Sequence, residues 1–161
     1  MVLDNLIAKK KLNRIALEIA ERNSGKNHLV LAGVNGSGMV IATQLGEILK
    51  DLFPGKLSIV TVNIDKKNPQ KASLENLPQI AHPTVLLIDD VANSGRTMLY
   101  ALRPVIELDP ESIQTVALLE RSYKLFPVSI DYVGSSISTL PHEYIEVVIE
   151  KGEIAGAHVR E

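Results

Sequence analysis

Four consecutive large aliphatics, Val85, Leu86, Leu87 and Ile88, run directly into two aspartates, Asp89 and Asp90. Successive strand residues point to opposite faces, so an uninterrupted aliphatic run predicts a strand buried on both sides. Apolar runs at 29–34, 57–62 and 113–119 repeat the pattern, and Thr84 opens the central one. Between them the apolar spacing becomes helical. Leu6, Ile7, Leu12, Ile15, Ala16, Ile19 and Ala20 predict a helix over 3–23 that ends at Asn23-Ser24-Gly25. Further helices are expected over 39–53 and 96–108, the last kinked or broken at Pro104. A short fifth strand is expected at 130–133. Residues 144–149 and 154–159, around Lys151-Gly152, predict a C-terminal hairpin. Strands alternating with helices specify an α/β fold, a mostly parallel central sheet flanked by helices, here as one domain over 1–161.

The 161 residues contain no cysteine, which excludes thiol catalysis, disulfides and thiolate-bound metals. His28, His82, His142 and His158 lie at no metal-ligand spacing and read as structural or surface residues. A formal net charge of -2 gives no general basic excess for nucleic acid. No apolar run approaches the roughly 18 residues of a membrane span, and Met1 to Lys11 lacks a secretory h-region, so the expected location is the cytoplasm.

Parallel sheets of this kind bind ligands beyond the carboxyl ends of their strands. There, Asp89 and Asp90 are followed by Val91, Ala92, Asn93, Ser94, Gly95, Arg96 and Thr97, a small polar run that opens a helix. Adjacent carboxylates call for a cation or sugar hydroxyls. A turn leading into a helix start offers backbone N–H groups and positive potential to an anion, and Ser94 and Thr97 add hydroxyls. The combination predicts a ribose 5-phosphate site. Each residue also has a plainer role, as strand-end cap, turn former or N-cap. The run lacks the Gly-Lys-Ser/Thr of a Walker loop. A second Gly-rich turn, Gly33 to Gly38, follows the first strand and fits either a tight strand-to-helix turn or an anion loop. Residues 65–82 have no clear periodicity and carry Lys66, Lys67 and Lys71, as a solvated loop or a closing lid would.

The stretch from Val85 to Thr97 resembles the 13-residue signature of type I phosphoribosyltransferases, with Ser94 in place of the commoner threonine. The resemblance implies Mg²⁺-dependent transfer of 5-phosphoribosyl from phosphoribosyl pyrophosphate to a nucleobase. It implies that Asp89 and Asp90 hold the ribose hydroxyls, in part through Mg²⁺, and that residues 91–97 hold the 5′-phosphate. Asn35, Gly36, Ser37 and Gly38 then match the pyrophosphate loop. A strained, often cis, peptide is implied near Gly36-Ser37, and the family's basic residue is replaced by Ser37. Lys66 or Lys67 stands in the lid region where relatives carry an arginine. Val133, Gly134, Ile137 and Thr139, within a hood over 121–145, are similar to the base-binding segment of the pyrimidine operon attenuator/uracil phosphoribosyltransferase family. Residues 14–23 look like that family's first helix. Uracil is therefore the implied base, giving UMP, with a purine as the alternative. Family members also bind RNA and form dimers or higher homo-oligomers. Residues 1–27 do carry three more basic than acidic side chains. Leu17 stands where relatives have a histidine, however, and 127–129 lack an arginine common there. A nucleotide sensor with weak or no catalysis is thus the second functional expectation.

Overall fold

The computed structural model describes residues 1–161. Its nine strands and three helices are β1 (Leu3–Asp4), α1 (Asn5–Arg22), β2 (His28–Val34), α2 (Ser37–Leu52), β3 (Lys56–Asn63), β4 (Ser73–Glu75), β5 (Thr84–Ala92), α3 (Arg96–Ile106), β6 (Ser112–Arg121), β7 (Tyr132–Ile137), β8 (Tyr144–Glu150) and β9 (Glu153–Arg160). The central sheet has the order β4-β3-β2-β5-β6-β7 and is parallel except for the edge strand β4. β5 lies between β2 and β6, and all nine of its residues are buried. The two-sided aliphatic pattern read from the sequence is explained by that position.

Two apolar cores cover the sheet. Leu12, Ile15, Ile19, Leu31, Ile41, Leu45, Leu86 and Ile88 build one with α1 and α2. Val30, Ala32, Val85, Leu87, Met98 and Val105 build the other with α3. Ile15 of α1 is fully buried. Ile15→Ala should therefore cost about 2–5 kcal/mol in chemical denaturation with little change in m-value. The predicted hairpin forms as β8 and β9, with β1 added to its far edge in a separate three-stranded sheet of order β1-β9-β8. Ile145, Val147, Ile154 and Ala157 fasten it to the first core.

Several boundaries differ from the sequence expectation. Asp4 leaves the first helix to become its N-cap, accepting a bond from the Ile7 amide at 2.8 Å. At its far end Asn23 is buried and exchanges amide bonds with Gln114 at 2.8 and 3.0 Å. β5 continues four residues past Ile88, through both aspartates. α3 runs past Pro104 to Ile106, because Pro104 and Val105 are buried in its last turn and packing holds that turn. The fifth predicted strand runs over 132–137 and pairs with β6. The 65–82 segment holds a short strand, β4, antiparallel to β3. No helix is long and apolar enough to cross a membrane.

Candidate active site

The central strand carries its two acids into the interior. Asp89 is 2% exposed and Asp90 8%. Each carboxylate accepts a bond from the next backbone amide, Asp89 from Asp90 N at 2.9 Å and Asp90 from Val91 N at 2.8 Å. Asp89 also packs against the start of α2, where a β-carbon on Gly38 would lie 3.1 Å from its Oδ1. Lys66 Nζ is 3.9 Å from Asp89, the one cation paired with either acid. Burial, and then the charge of Asp90, push the Asp89 carboxyl well above the usual range, with Lys66 opposing. The pair is therefore an electrostatic deficit that a hard cation or a set of hydroxyl donors would relieve.

Immediately after β5 the chain turns into α3. Gly95 takes φ +84°, in the left-handed region, and is the helix N-cap. Its neighbour Ser94 accepts a bond on Oγ from Arg96 N at 3.2 Å. The Ser94 carbonyl faces the other way and accepts from Leu125 N and Phe126 N at 3.0 and 3.1 Å. The first α3 amides, including Thr97 and Met98, have no preceding helical carbonyl to bond. These groups open on a cleft of about 420 Å³ lined by the continuous run from Asp89 to Met98, by Ser37 and Lys66, and by Tyr144 to Val147 of β8. The structure thus brings Asp89, Asp90, Val91, Ala92, Asn93, Ser94, Gly95, Arg96 and Thr97 to one cavity. The Asn93 side chain alone is bonded outside the run and the lid, to the backbone of Ile145 at 2.8 and 2.9 Å.

The other sequence-selected residues divide. Of the Gly-rich turn, Ser37 reaches the cleft. Asn35 braces the turn instead, its side chain accepting from Ile64 N at 3.1 Å and its amide donating to Val62 O at 2.9 Å. The cis bond expected near Gly36-Ser37 is absent, and every peptide is trans. Gly36 makes the tight turn by adopting φ +85°, ψ −130°, which a glycine accommodates without isomerising the bond. Lys66 lines the cleft, whereas Lys67 turns its amide back to Asp65. Val133, Gly134 and Ile137 lie on β7, outside the cleft lining. Their carbonyls are engaged: Arg14 donates to Val133 O and Gly134 O at 2.7 and 2.9 Å, and Ser122 N donates to Ile137 O at 3.1 Å. Thr139 donates to Leu140 O at 3.2 Å.

Two features escape a reading of the sequence. Alternation identifies β8 as a hairpin strand but says nothing about the sheet end it will face. Arg121, at the end of β6, is 8% exposed, donates to Leu140 O at 3.3 Å, and leaves Nε as the single buried side-chain polar atom without a partner. The N-terminal charges are also less free than their count suggests. Lys9, Arg22 and Lys26 pair with Glu153, Asp131 and Glu111, all from outside residues 1–27. Those three acids balance the local excess.

Residues 1–150 match the family model for the phosphoribosyl transferase domain. The chain belongs to the phosphoribosyltransferase family. Among curated relatives, a bifunctional protein PyrR of Enterococcus faecalis is 36% identical over 165 residues, spanning 97% of this chain and 92% of the relative. Another, from Clostridium botulinum, is 33% identical over 160 residues and spans 93% and 89%. The chain is thus a phosphoribosyltransferase with PyrR relatives over nearly its whole length, as the 85–97 signature and the first helix imply. Among solved structures, the hypoxanthine phosphoribosyltransferase of Trypanosoma cruzi superposes with a TM-score of 0.80 at 20% identity, over 97% of this chain and 94% of that one. A hypoxanthine-guanine phosphoribosyltransferase of Bacillus anthracis gives 0.75 at 19% identity. At that distance the likeness is one of phosphoribosyltransferase fold.

Proposed function

We propose that this phosphoribosyltransferase transfers the 5-phosphoribosyl group of phosphoribosyl pyrophosphate to uracil, releasing pyrophosphate and UMP in the cytoplasm. The observation that supports it most is the single cleft in which two buried acids stand beside an amide-rich helix start. In this reading the amides of residues 94–98 and the hydroxyls of Ser94 and Thr97 bind the 5′-phosphate. Asp89 and Asp90 orient the ribose hydroxyls and favour the positive charge that develops on the ring as the anomeric C–O bond breaks. The uracil nitrogen attacks that carbon from the opposite side, and no protein nucleophile takes part. Ser37 and the Gly36–Gly38 turn receive the pyrophosphate. Lys66, on the 65–82 lid, supplies positive charge to it as it leaves.

Magnesium fits the donor set as far as the chain supplies one. The two acids are oxygen ligands whose mutual repulsion a divalent ion would relieve. The chain holds no group of three or more side chains able to ligate a metal by themselves. Asp89 and Asp90 are the side chains that would hold the ion, and it would supply positive charge to neutralise the departing group. Ionisation of Asp89, with its raised affinity for protons, is expected to be drawn out by the cation.

The base end is the least engaged part of the site. In this reading the base is met by the hood over 121–145, where the carbonyls of Val133, Gly134 and Ile137 are already bonded within the chain. A second, nucleotide-sensing role has its support in the bifunctional relatives. With Lys9, Arg14, Arg22 and Lys26 all beside carboxylates, any RNA affinity should show a shallow salt dependence.

The test is pyrophosphate release with Mg²⁺, phosphoribosyl pyrophosphate and each base in turn. Uracil should support turnover and hypoxanthine and guanine should not. Asp90→Asn should lower kcat with uracil by tenfold or more, by the scale of lost transition-state electrostatics. Release with purines alone would replace uracil with a purine. Wild-type rates in Asp90→Asn would remove the acids from the mechanism.

A further inference from the structure

The side chain of Asn93 sits in the middle of the phosphate loop yet points at neither the helix start nor the acids. Its Nδ2 donates to the Ile145 carbonyl at 2.9 Å, and its Oδ1 accepts from the Ile145 amide at 2.8 Å. A side-chain amide paired at both ends with a backbone residue reproduces one rung of a β-ladder. Ile145 is available for this because β8 is the open edge of the small sheet, with β9 on its other side. The rung therefore satisfies edge groups that would otherwise face solvent or an incoming strand. It also decides what β8 faces. Tyr144, Ile145, Glu146 and Val147 contribute to the wall of the cleft that the phosphate loop also lines. Residues 93 and 145 are adjacent to loop and wall at the same time.

We propose that Asn93 is a positioning residue that couples the phosphate loop to the C-terminal hairpin, so that holding a 5′-phosphate and ordering the β8 wall are one event. This rests on the reading of residues 94–98 as the phosphate site. Three observations carry it. The pairing is bidentate, so it fixes direction as well as distance. The neighbouring residue Ser94 is anchored on its carbonyl by Leu125 N and Phe126 N, so the loop is gripped from two sides and has little freedom to move alone. The hairpin's other directional ties lie on its β9 side, through pairing with β1, Asn5 Nδ2 to Ile154 O at 2.7 Å and Lys9 to Glu153, while β8 shares only an apolar core with β5 and β6, in which Ile145 and Val147 lie with Val91 and Leu119. An asparagine supplies the donor and acceptor together, which aspartate, serine or threonine would not do with the same geometry. Tyr144, 44% exposed and next to the tied residue, gains a fixed position at the mouth of the cleft. Glu146, which also lines the cleft, pairs with Arg160 at 2.8 Å.

Hydrogen exchange on the full chain, with and without UMP, separates the parts. In the wild-type protein the Ile145 amide should be protected, and UMP should extend that protection along residues 144–147. In Asn93→Ala the Ile145 amide should exchange at least tenfold faster while β5 amides stay protected, and UMP affinity should fall by about tenfold or more, the scale of two lost hydrogen bonds. UMP should no longer protect the hairpin. Asn93→Asp supplies a second readout that a purely structural loss would not give. A protonated aspartic acid donates to Ile145 O and an ionised one does not. Hairpin protection relative to wild type should therefore return as pH falls through the carboxylate range and vanish above it. An Asn93→Ala protein that loses UMP affinity but keeps hairpin protection would make Asn93 a direct phosphate ligand and overturn the proposal. So would full affinity and full coupling without the side chain, or a pH-independent Asn93→Asp. Failure of wild-type protein to bind UMP would instead overturn the phosphate-site reading and the coupling with it, while ligand-free exchange would still judge the Asn93–Ile145 tie.

Discussion

Asparagine in place of Asp89 is expected to make the ligand-free protein more stable and nearly inactive. The side chain is almost fully buried, with Asp90 beside it and only Lys66, at 3.9 Å, in compensation. Burial first and the Asp90 charge second raise its affinity for protons in the folded state. A carboxyl whose folded pKa lies above its unfolded value contributes stability at acid pH and loses it as pH rises toward the folded pKa. The isosteric amide keeps the acceptor for the Asp90 amide and has no charge to bury. The two proteins should therefore melt together at acid pH. The Asp89→Asn protein should melt progressively higher than wild type as pH rises beyond the ordinary carboxylate range. In a domain of this size about 1 kcal/mol corresponds to roughly 2–4 °C in Tm, so the gap is readable by thermal denaturation. Turnover should fall by about a hundredfold, the scale for removing one preorganised charge from a transition state. A variant that is both less stable and fully active would show that Asp89 is a structural acid.

The second large effect is expected at Gly95. Its φ of +84° costs any L residue about 1–2 kcal/mol, and a β-carbon there would lie 3.3 Å from the Phe126 carbonyl. Neither side of that contact yields easily, because Phe126 N is itself bonded to Ser94 O. Gly95→Val should relieve the clash by shifting the first turn of α3. Affinity for ribose 5-phosphate, measured by calorimetry, should fall tenfold or more while the far-UV spectrum is kept. Gly95→Ala should show the same change to a smaller degree. Wild-type affinity in the valine variant would place the phosphate elsewhere.

Much of this site is visible in the sequence because its chemistry is local. The strand, both acids and the helix-opening loop are contiguous, so Val85 to Thr97 carry their own context. The parallel sheet is legible for a similar reason, since burial on two faces leaves an aliphatic run with no polar interruption. What is not legible depends on distant partners. The hairpin is predicted by its alternation around Lys151-Gly152, but the meeting of Ile145 with Asn93 links positions 52 residues apart. Nothing in a lone asparagine reports that its amide will be used by a strand edge. The carbonyls of Val133 and Gly134 are likewise free in the sequence and taken in the fold, where Arg14 reaches them from α1. The turn at Gly36 shows the limit of family resemblance, because the chain satisfies its geometry with a positive φ and keeps a trans bond.

The proposed chemistry of the cleft depends most on where the 5′-phosphate binds. Titration of isotope-labelled protein with UMP, followed through the backbone amide resonances, reads this directly. The largest shifts should fall on Gly95, Arg96, Thr97 and Met98, with smaller ones at Asp89, Asp90 and Tyr144 to Val147. Shifts confined to other surfaces, with residues 94–98 unmoved at saturation, would contradict the assignment of this cleft.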